Sequence, residues 1–535
     1  MSLIEAAAVS SASPSTDYVH TESPIRTRIV ATLGPASDSP EMVERLIQSG
    51  VNVFRFNFSH GTLEEQAKRL NTVREVSARL GTPTAALGDL QGPKIRIGRV
   101  VPQGDSDKGV ELTPGQDVIF RRGVKEAFVA HDGVAVFGVT YEDMMNEVVP
   151  GQRVLVNDGA IRMLALECDA AKAHGELRMR VTVGGLVTSG KGINLPESVI
   201  KAPAITDRDW ACVEFAVAQQ MDFLALSFVR KADEVLELKE RLKGMCAVRP
   251  EFGREAGGAY IPVISKIEKP QAVENIESIV EASDAVMVAR GDLGVEMDIA
   301  RTPVIQKRIV QVCRDYGKPC IIATQMLETM IENSSPTRAE ASDVANAIFD
   351  RADAVMLSGE TAVGAHPALV VDTMRHIAQE AEDATWSEID ESSPSIQLVR
   401  SKNVEAAIAH GVWHVARDLD AKLVVCWSEV GRIARFLSQN RMPVPIVAYS
   451  SSRIWTRRMA LLSNVSPIRR EPPESGRLSD WTDEVEHDLL ERNWVKPGDL
   501  VVLAAGKPLG NPRAVNTIAT LVIGDPSTGF RSHDR

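Results

Sequence analysis

The chain has 535 residues, which is too long for one hydrophobic core, so we expect three or four domains. Its formal net charge of −12 at pH 7 leaves no basic surplus to neutralise a phosphate backbone, which argues against a nucleic-acid partner. No apolar run approaches the ~20 residues that a membrane span needs, so we expect no membrane partner either.

The chain begins with a stretch, residues 1–24, that we interpret as an N-terminal arm. Its apolar patch, Ala6–Val9, is short and no basic residue precedes it, so it does not have the pattern of a signal peptide. The six cysteines stand singly, at positions 168, 212, 246, 313, 320 and 426. Scattered single cysteines form neither a disulfide framework nor a zinc site and are typical of a reducing, cytoplasmic location.

From Arg26 onward, short β-rich runs alternate with amphipathic helical stretches. The predicted strands are Arg28–Thr32, Val51–Phe56, Thr84–Leu90, Phe223–Phe228, Ile261–Ile267, Ala285–Ala289, Cys320–Thr324 and Ala354–Leu357. The predicted helices between them include Ser39–Ser49, Glu64–Arg79, Asp207–Gln219, Lys231–Lys243 and Thr302–Tyr316. Apolar strands that alternate with helices predict a parallel sheet covered by helices, and eight such units predict a (β/α)₈ barrel, residues 25–97 and 200–385.

The alternation of strand-like and helical stretches is interrupted after the third barrel strand and ends at a linker after the eighth. Residues 98–199 are rich in Val, Gly and Pro, which predicts an all-β lid domain inserted after the third barrel strand. Residues 384–397 form a polar linker that carries Pro and Ser. Beyond it, helix-like and strand-like stretches alternate again, so we predict a doubly wound α/β domain over residues 396–535.

Charged and hydroxylated residues follow most of the predicted barrel strands. They are Arg55 to His60 after strand 2, Asp89 to Arg96 after strand 3, Lys266 to Glu268 at strand 5, Arg290 to Asp292 after strand 6, Thr324 after strand 7 and Ser358 to Glu360 after strand 8. The carboxyl ends of barrel strands meet at one mouth, so these groups should gather there. Cations for phosphate and carboxylates for Mg²⁺ are the components of phosphoryl transfer.

Each of these residues also has an ordinary structural explanation. Arg55 could cap the C-terminus of a helix, Asp292 could be the N-cap of the helix that contains Pro303, and Ser358 could be a turn residue. Their joint position at successive strand ends is what favours a functional site.

A phosphate-loop pattern, Gly185 to Lys191, is present but incomplete. The position after the lysine should be Ser or Thr to hold Mg²⁺, and here it is Gly192. The residues that follow, up to Pro196, predict an extended chain rather than a helix. We therefore expect no Walker site, although Lys191 on a glycine-rich hinge could reach a nucleotide phosphate.

Seven motifs make the sequence resemble the pyruvate kinase family from Arg26 to the C-terminus. They are Ala31–Ser37, Phe56–Gly61, Ile264–Glu268, Met287–Glu296, Ala323–Glu328, Pro336–Glu340 and Met356–Thr361. The resemblance implies the same architecture of barrel, lid and C-terminal regulatory domain. It also implies transfer of the phosphoryl group of phosphoenolpyruvate to ADP, which yields pyruvate and ATP, with Mg²⁺ or Mn²⁺ as cofactor.

The resemblance assigns roles to residues at the mouth. Lys266 would balance the charge of the transferred phosphoryl group, and Arg55 would grip the substrate phosphate. Glu268 and Asp292 would bind the divalent metal. Thr324 would lie near the carbon that gains a proton.

Further roles concern the substrate carboxylate and the nucleotide. The backbone N–H groups of Arg290, Gly291 and Asp292, with the Thr324 hydroxyl, would hold the carboxylate. The predicted nucleotide-binding residues are Arg96, Lys191, Asn57 and His60, and Asp158 of the lid would close onto the metal–nucleotide complex.

Lys94 is a departure from the pattern of many family members, which carry Glu at this position and bind K⁺ nearby. The corresponding K⁺ ligands here would be Asn57, Ser59, Asp89 and the carbonyl of Leu90. Leu90 itself stands where many members have Thr. Because an ammonium carries the same charge as K⁺ on a tether, we expect Lys94 to replace the ion and K⁺ not to be required.

The C-terminal domain carries a second departure. Members that respond to fructose 1,6-bisphosphate have a Ser/Thr-rich phosphate loop, whereas this chain has Ser428 to Ile433 with Glu429 inside it. We therefore expect a monophosphate effector, AMP or a sugar monophosphate, bound by Arg432 or by Lys507 and Arg513. The resemblance also implies a homotetramer.

Two other functions remain open at this point. Another barrel enzyme that handles phosphoenolpyruvate, such as a mutase, lyase or aldolase, needs the metal carboxylates but neither the lid nor Lys191. A metabolite sensor that has kept the barrel without catalysis would be expected to lack Lys266 or a metal carboxylate, and this chain has both.

Overall fold

The computed structural model describes residues 25–101, 109–131, 133–167, 175–252, 260–389, 402–442, 444–510 and 515–533. The predicted arm, Cys168, Arg513 and most of the predicted linker lie outside these residues. Within the described ranges, no helix is both long and apolar enough to cross a membrane.

Eight parallel strands close into a barrel in chain order. They are Arg28–Thr32, Val51–Asn57, Ala85–Asp89, Phe223–Leu226, Val263–Ile267, Ala285–Ala289, Cys320–Ala323 and Ala354–Leu357, called barrel strands 1 to 8. Every predicted strand is present, and the predicted (β/α)₈ barrel is confirmed. The strands are buried along almost their whole length because helices cover the outside of the barrel.

Helices surround the barrel, and four of them begin at a Ser or Thr whose side chain caps the first turn. They are Pro40–Gln48, Leu63–Leu80, Asp207–Ala218, Ala232–Ala247, Pro270–Glu274, Ile276–Ala282, Arg290–Glu296, Thr302–Asp315, Arg338–Phe349, Gly359–Ala362 and Pro367–Ile389. At the start of Leu63–Leu80, Thr62 accepts from the Glu65 N–H at 3.3 Å, and the Glu65 carboxylate accepts from the Thr62 N–H at 3.0 Å. This capping box fixes where the chain turns from the mouth into the helix.

An aspartate precedes each of barrel strands 4, 6 and 8 at the N-terminal end of the barrel. Asp222, Asp284 and Asp353 each accept a backbone N–H from the preceding strand, from Ala86, Val263 and Cys320 at 2.9, 2.9 and 2.8 Å. The other oxygen of each binds a side chain: Arg457 for Asp222, Lys239 and Tyr260 for Asp284, and Gln439 for Asp353. These saturated carboxylates fix the strand register and, through Arg457 and Gln439, attach the C-terminal domain.

The lid follows barrel strand 3. Its strands are Arg99–Val100, Val110–Leu112, Asp117–Arg121, Glu126–Val129, Ala135–Phe137, Arg153–Val156, Ile161–Glu167, Glu176–Val183, Gly185–Val187 and Ile193–Asn194. Eight form one sheet and two form a separate pair, with a single helical turn at Met144–Glu147. Ile193–Asn194 is a strand, so the chain after Lys191 is extended there, as predicted.

The two chain crossings between lid and barrel are held by side chains. Asp209 accepts from the Gly92 N–H at 3.2 Å, and Arg230 donates to the Ala202 carbonyl at 2.9 Å. On the lid itself, Asn194 donates at 2.8 Å to Glu296, which ends the barrel helix Arg290–Glu296. The Glu296 carboxylate also pairs with Lys269. We call Asn194, Glu296 and Lys269 the lid tether.

The C-terminal domain is a five-stranded sheet with helices on both faces. In spatial order its strands are Val465–Arg469, Ile446–Ser450, Leu423–Trp427, Leu500–Ala505 and Thr517–Val522, and only the last is antiparallel. Its helices are Val404–Asp418, Arg432–Gln439, Arg453–Met459 and Leu478–Glu491. Separate buried cores lie on the two faces, so the predicted doubly wound arrangement is confirmed.

Candidate active site

Lys266 lies at the centre of the mouth, at the end of barrel strand 5. Its ammonium is 2.9 Å from Glu268 Oε1, 3.4 Å from Asp89 Oδ1 and 2.9 Å from the Ser227 hydroxyl, to which it donates. Burial alone would lower the pKa of Lys266, but Asp89 and Glu268 outweigh it and raise the pKa above its ordinary value. The lysine therefore keeps its positive charge in a site from which water is largely excluded.

Arg55 and Asp89 form a second buried pair beside the lysine. Arg55 Nε is 2.6 Å from Asp89 Oδ2, and Arg55 Nη1 donates to the Thr32 hydroxyl at 3.1 Å. Burial would raise the pKa of Asp89, but Lys266 and Arg55 together lower it below its ordinary range. Arg55 is therefore held by the ends of strands 1 and 3, and it does not cap a helix.

Two buried carboxylate oxygens at the mouth, Asp89 Oδ1 and Glu268 Oε1, have the Lys266 ammonium as their partner among the described residues. Glu268 Oε2 accepts from the Phe228 N–H at 2.7 Å. Burial raises the pKa of Glu268, Lys266 opposes this, and Asp292 adds repulsion. A cation near Glu268 and Asp292 would relieve the repulsion between these two carboxylates.

The donor set at the mouth fits a hard divalent cation that is shared with a substrate. In the described ranges, no three His, Cys, Asp or Glu residues come together as a protein metal cage. Mg²⁺ commonly binds through one or two carboxylates and completes its shell with substrate oxygens and water. Glu268 and Asp292 would supply such a pair.

Thr324 follows barrel strand 7 in a strained backbone conformation. Its φ is +68°, a left-handed region that β-branched residues rarely adopt. Its hydroxyl accepts from the Gly291 N–H at 2.7 Å and donates to the Ala323 carbonyl at 2.6 Å. The strain presents this hydroxyl to the first turn of the helix Arg290–Glu296.

The Arg290 side chain is turned away from the mouth. Its guanidinium donates to the carbonyls of Thr324 and Gln325, both at 2.9 Å, and pairs with Asp343 at 2.6 Å. The side chain therefore fixes the turn after strand 7, and Arg290 is available to a ligand at the mouth through its backbone. Asp292 lies inside the helix Arg290–Glu296, so it is not the N-cap of the helix that contains Pro303.

Two family models match this chain. The model described as pyruvate kinase, barrel domain, matches residues 25–371, and the one described as pyruvate kinase, alpha/beta domain, matches residues 406–521. The chain belongs to the pyruvate kinase family. Relatives include the pyruvate kinase of Staphylococcus aureus strain MRSA252, 39% identical over 508 residues, and that of Geobacillus stearothermophilus, 38% identical over 505. Each alignment covers 94% of this chain and 81% of the relative.

Membership in this family makes the chain a kinase and therefore an enzyme. The substrates that fit the family are phosphoenolpyruvate and ADP, and the family uses a divalent metal. The assignment of individual residues to these ligands is taken up below.

The predicted nucleotide-binding residues divide between the mouth and the lid hinge. Arg96 donates to the Gly190 carbonyl at 2.9 Å, and the Lys191 carbonyl accepts from the Ile97 N–H at 2.8 Å. Arg96 and Lys191 therefore lie on adjoining hinge segments. Asn57 accepts from the Ser59 N–H at 3.0 Å at the end of strand 2, and His60 is exposed nearby.

A cleft of about 910 Å³ separates the lid from the barrel and is large enough for a nucleotide. Asp158 and Arg162 line it from the lid, and Gly291 and Gln325 line it from the barrel. A methyl group built on Gly159 would lie 3.5 Å from Val295, so the turn that carries Asp158 already rests on the barrel helix. The cleft joins this lid turn to the residues around Thr324.

Lys94 lies at the lid hinge. A methyl group built on Gly192 would be 3.0 Å from Lys94 Cε and 4.0 Å from Asp158 Oδ1. Lys94 forms no ion pair with Asp89, whose partners are Arg55 and Lys266. The Leu90 carbonyl accepts from the Ser227 hydroxyl at 2.6 Å.

The C-terminal loop around Glu429 is filled by its own side chains. Glu429 is 8% exposed and accepts from Trp427 Nε1 at 3.0 Å and from the Ser451 hydroxyl. The remaining cavity is about 10 Å³, too small for a phosphate group. Arg432 pairs with Glu405 at 3.1 Å, Lys507 is exposed, and Arg513 lies outside the described residues.

The sequence did not single out four residues of the site. Ser227 and Thr32, which bind Lys266 and Arg55, end barrel strands 4 and 1, the two strands whose ends were not considered. Reading every strand end would have found both. Asn194 and Lys269 of the lid tether give no local signal, because their common partner Glu296 is distant from Asn194 in the chain.

Proposed function

We propose that this enzyme transfers the phosphoryl group of phosphoenolpyruvate to ADP, with Mg²⁺ or Mn²⁺, and so performs the last step of glycolysis. The observation that carries the proposal is the buried Lys266, whose charge is held between Asp89 and Glu268 with no other task in the fold. A permanent cation in a dry site is what a transferring phosphoryl group needs.

The chain's own residues act by position and charge. Arg55, held by Asp89 and Thr32, grips the substrate phosphate, and Lys266 neutralises charge that moves onto the transferred group. The backbone of Arg290, Gly291 and Asp292 holds the substrate carboxylate. A metal bound by Glu268 and Asp292 would supply further stabilisation of the phosphate and enolate oxygens.

Thr324 is the residue proposed for proton delivery to the enolate carbon. Its hydroxyl both accepts and donates a hydrogen bond, so it can pass a proton from a water molecule without becoming charged. Its strained backbone keeps the hydroxyl at the mouth rather than in the barrel wall.

The nucleotide enters through the lid cleft. Arg96 and Lys191 attend its phosphates from the hinge, Asn57 and His60 act from the end of barrel strand 2, and Asp158 closes onto the metal–nucleotide complex. The support for these roles is that Asp158 lines the cleft and that Arg96 and Lys191 lie on adjoining hinge segments.

We further propose that K⁺ is not required. The support is one of charge: in the proposed ion-site region of Asn57, Ser59, Asp89 and Leu90, Asp89 already pairs with Arg55 and Lys266, and Lys94 is a further cation at the lid hinge. A K⁺ ion within ~4 Å of an ammonium would face repulsion of roughly 1–4 kcal/mol. Lys94 also lies near Asp158, so it has a second candidate role in lid closure.

The remaining proposals concern regulation and assembly. We propose no strong response to fructose 1,6-bisphosphate, since Glu429 fills its loop, and a monophosphate effector held by Arg432 or by Lys507 and Arg513. We also propose a homotetramer, which the family resemblance implies, and a cytoplasmic location. We propose four parts of the chain: an arm (1–24), the barrel (25–97 and 200–385), the lid (98–199) and the C-terminal domain (396–535). The five cysteines of the described ranges are all free, as a reducing compartment would allow.

A lactate-dehydrogenase-coupled assay with phosphoenolpyruvate, ADP and Mg²⁺ tests the proposal. We expect pyruvate release that depends on ADP. Pyruvate or another product formed without ADP would indicate a lyase-type barrel enzyme, and the absence of turnover with intact ligand binding would indicate a sensor.

A further inference from the structure

Three arginines gather around Asp222 at the N-terminal end of the barrel, opposite the mouth. Arg74 comes from the barrel helix Leu63–Leu80, and Arg457 and Arg458 come from the helix Arg453–Met459 of the C-terminal domain. Arg74 donates to the Gln220 carbonyl at 2.6 Å, two residues before Asp222. We call Arg74, Arg457 and Arg458 the interface arginine cluster.

The carboxylates near the cluster already have partners. Asp222 is fully buried, with Oδ1 2.9 Å from Arg457 Nε and Oδ2 accepting from the Ala86 N–H at 2.9 Å. Asp284 is held by Lys239 and by the Tyr260 hydroxyl, each at 2.9 Å. One carboxylate charge is therefore available to three guanidinium groups.

Five buried guanidinium nitrogens of the cluster have no hydrogen-bond partner in the part of the chain that the structure describes. They are Arg74 Nε, Arg457 Nη2 and all three side-chain nitrogens of Arg458. Arg458 is only 3% exposed, and its guanidinium lies 4.8 Å from the centre of the Trp455 ring. Burial lowers the pKa of Arg458 to about 10, and burial together with repulsion from Arg457 lowers that of Arg74.

A buried charge normally has a counter-charge or shifts its pKa far enough to become neutral. Arg458 stays charged at neutral pH, because its pKa of about 10 lies well above 7, and the two carboxylates that act on it, Asp222 and Asp284, hydrogen-bond to other side chains. The unused nitrogens come from both the barrel and the C-terminal domain. Whatever neutralises them would therefore contact both domains at once.

We propose that the interface arginine cluster binds a phosphate dianion, either free or as the phosphate group of a monoester. Three cations and one carboxylate leave a net charge of +2, which a dianion balances and a monocarboxylate does not. Planar guanidinium forks match the oxygen spacing of phosphate. The site is distinct from the mouth and from the loop that contains Glu429.

Calorimetric titration of the full chain with inorganic phosphate, at constant ionic strength in chloride buffer, tests the proposal. An R55M background removes the proposed phosphate grip at the mouth. We expect saturable binding that includes one site per chain whose affinity R458M and R74M each lower at least tenfold. R79M is the matched control, because Arg79 lies on the same helix as Arg74 but is exposed and paired with Glu44, and it should leave the affinity unchanged.

Circular dichroism establishes that each variant is folded, and R458K, which keeps the charge, is expected to retain part of the affinity. Binding of both inorganic phosphate and glucose 6-phosphate, each weakened by R458M, assigns a monoester site, and R458M-sensitive binding of phosphate alone assigns a free ion. The proposal is overturned by the absence of saturable binding, by unchanged affinity in folded R458M and R74M, or by acetate that binds as well as phosphate.

Discussion

The two ends of the barrel use buried carboxylates in opposite ways. At the N-terminal end, Asp222, Asp284 and Asp353 each bind a backbone N–H with one oxygen and a side chain with the other. At the mouth, Asp89 Oδ1 and Glu268 Oε1 instead contact the Lys266 ammonium, at 3.4 and 2.9 Å. The acids at the N-terminal end hold strands and domains together, whereas those at the mouth hold the charged side chains of Lys266 and Arg55.

The cations show the reverse distribution. Lys266 and Arg55 at the mouth each contact a carboxylate, while all three side-chain nitrogens of Arg458 at the other end lack a partner among the described residues. The mouth thus has cations that are paired with carboxylates, whereas the opposite end has a buried guanidinium, that of Arg458, for which we propose a phosphate partner.

Lys266→Met should remove the positive charge at the centre of the mouth. We expect kcat to fall by ~10²-fold or more with a modest change in KM, because the lost charge acts mainly on the transferring phosphoryl group. The coupled pyruvate assay measures both constants. Lys243→Met, on an exposed barrel lysine, is the control, and near-normal turnover by a folded Lys266 variant would disprove the assignment.

Glu268→Gln and Asp292→Asn should raise the Mg²⁺ concentration for half-maximal activity by about tenfold or more, since each removes one of two anionic ligands. Asp353→Asn is the matched substitution at the other end. It should lower the thermal midpoint without altering the metal requirement, because Asp353 binds the Cys320 N–H and Gln439. An equal change in metal requirement in all three variants would remove the distinction between the two ends.

Lys94→Glu should create a requirement for K⁺. We expect the wild-type rate to be independent of K⁺, and the variant to lose activity several-fold in K⁺-free buffer and to regain part of it when K⁺ is added. Rates in K⁺ and in a bulky organic cation give the comparison. A wild-type rate that rises tenfold or more with K⁺ would mean that Lys94 does not replace the ion.

Fructose 1,6-bisphosphate should change the activity less than about twofold, because the buried carboxylate of Glu429 repels a phosphate and fills the loop. Calorimetry with the bisphosphate, followed by AMP and sugar monophosphates, measures this directly. Tight binding of the bisphosphate would contradict the prediction.

The smallest expected effect concerns Lys318 and is measured as a change in how folding stability depends on pH. Burial lowers its pKa from 10.5 to about 8, with repulsion from Arg435 adding to the shift. Between about pH 8 and 10.5 the unfolded chain binds a proton that the folded chain does not, so this group makes stability rise with pH in that window. Lys318→Met should flatten that slope and raise the thermal midpoint at pH 7 by on the order of 1 °C. If the stability of the variant depended on pH with the same slope as that of the wild type, the prediction would be wrong.

Much of the barrel and its mouth could be predicted from sequence because their signals are local. Each strand is a short apolar run, and the residue after it lies at the mouth whatever the rest of the chain does. This is why Lys266, Asp89 and Thr324 could be selected and why their strands were correct.

The remainder depends on side-chain direction and on contacts between distant segments. Arg290 follows strand 6 as expected, yet its guanidinium points to Asp343 and away from the mouth. The interface arginine cluster joins a helix near residue 74 to one near residue 458, and neither stretch has a pattern that indicates the other. Only packing brings such groups together.

The lid tether connects the lid to the mouth through the short helix Arg290–Glu296. The helix begins beside Gly291 and Asp292 at the mouth and ends at Glu296, which holds Asn194 of the lid. Seven residues span only about 10 Å, so the helix is a short, direct connection between the proposed metal ligand Asp292 and the lid. If Asp292 binds the metal, metal binding and lid position would be thermodynamically linked, and the linkage would be reciprocal. Adding the metal should slow amide hydrogen exchange around residues 193–195 while the distal lid strands exchange as before.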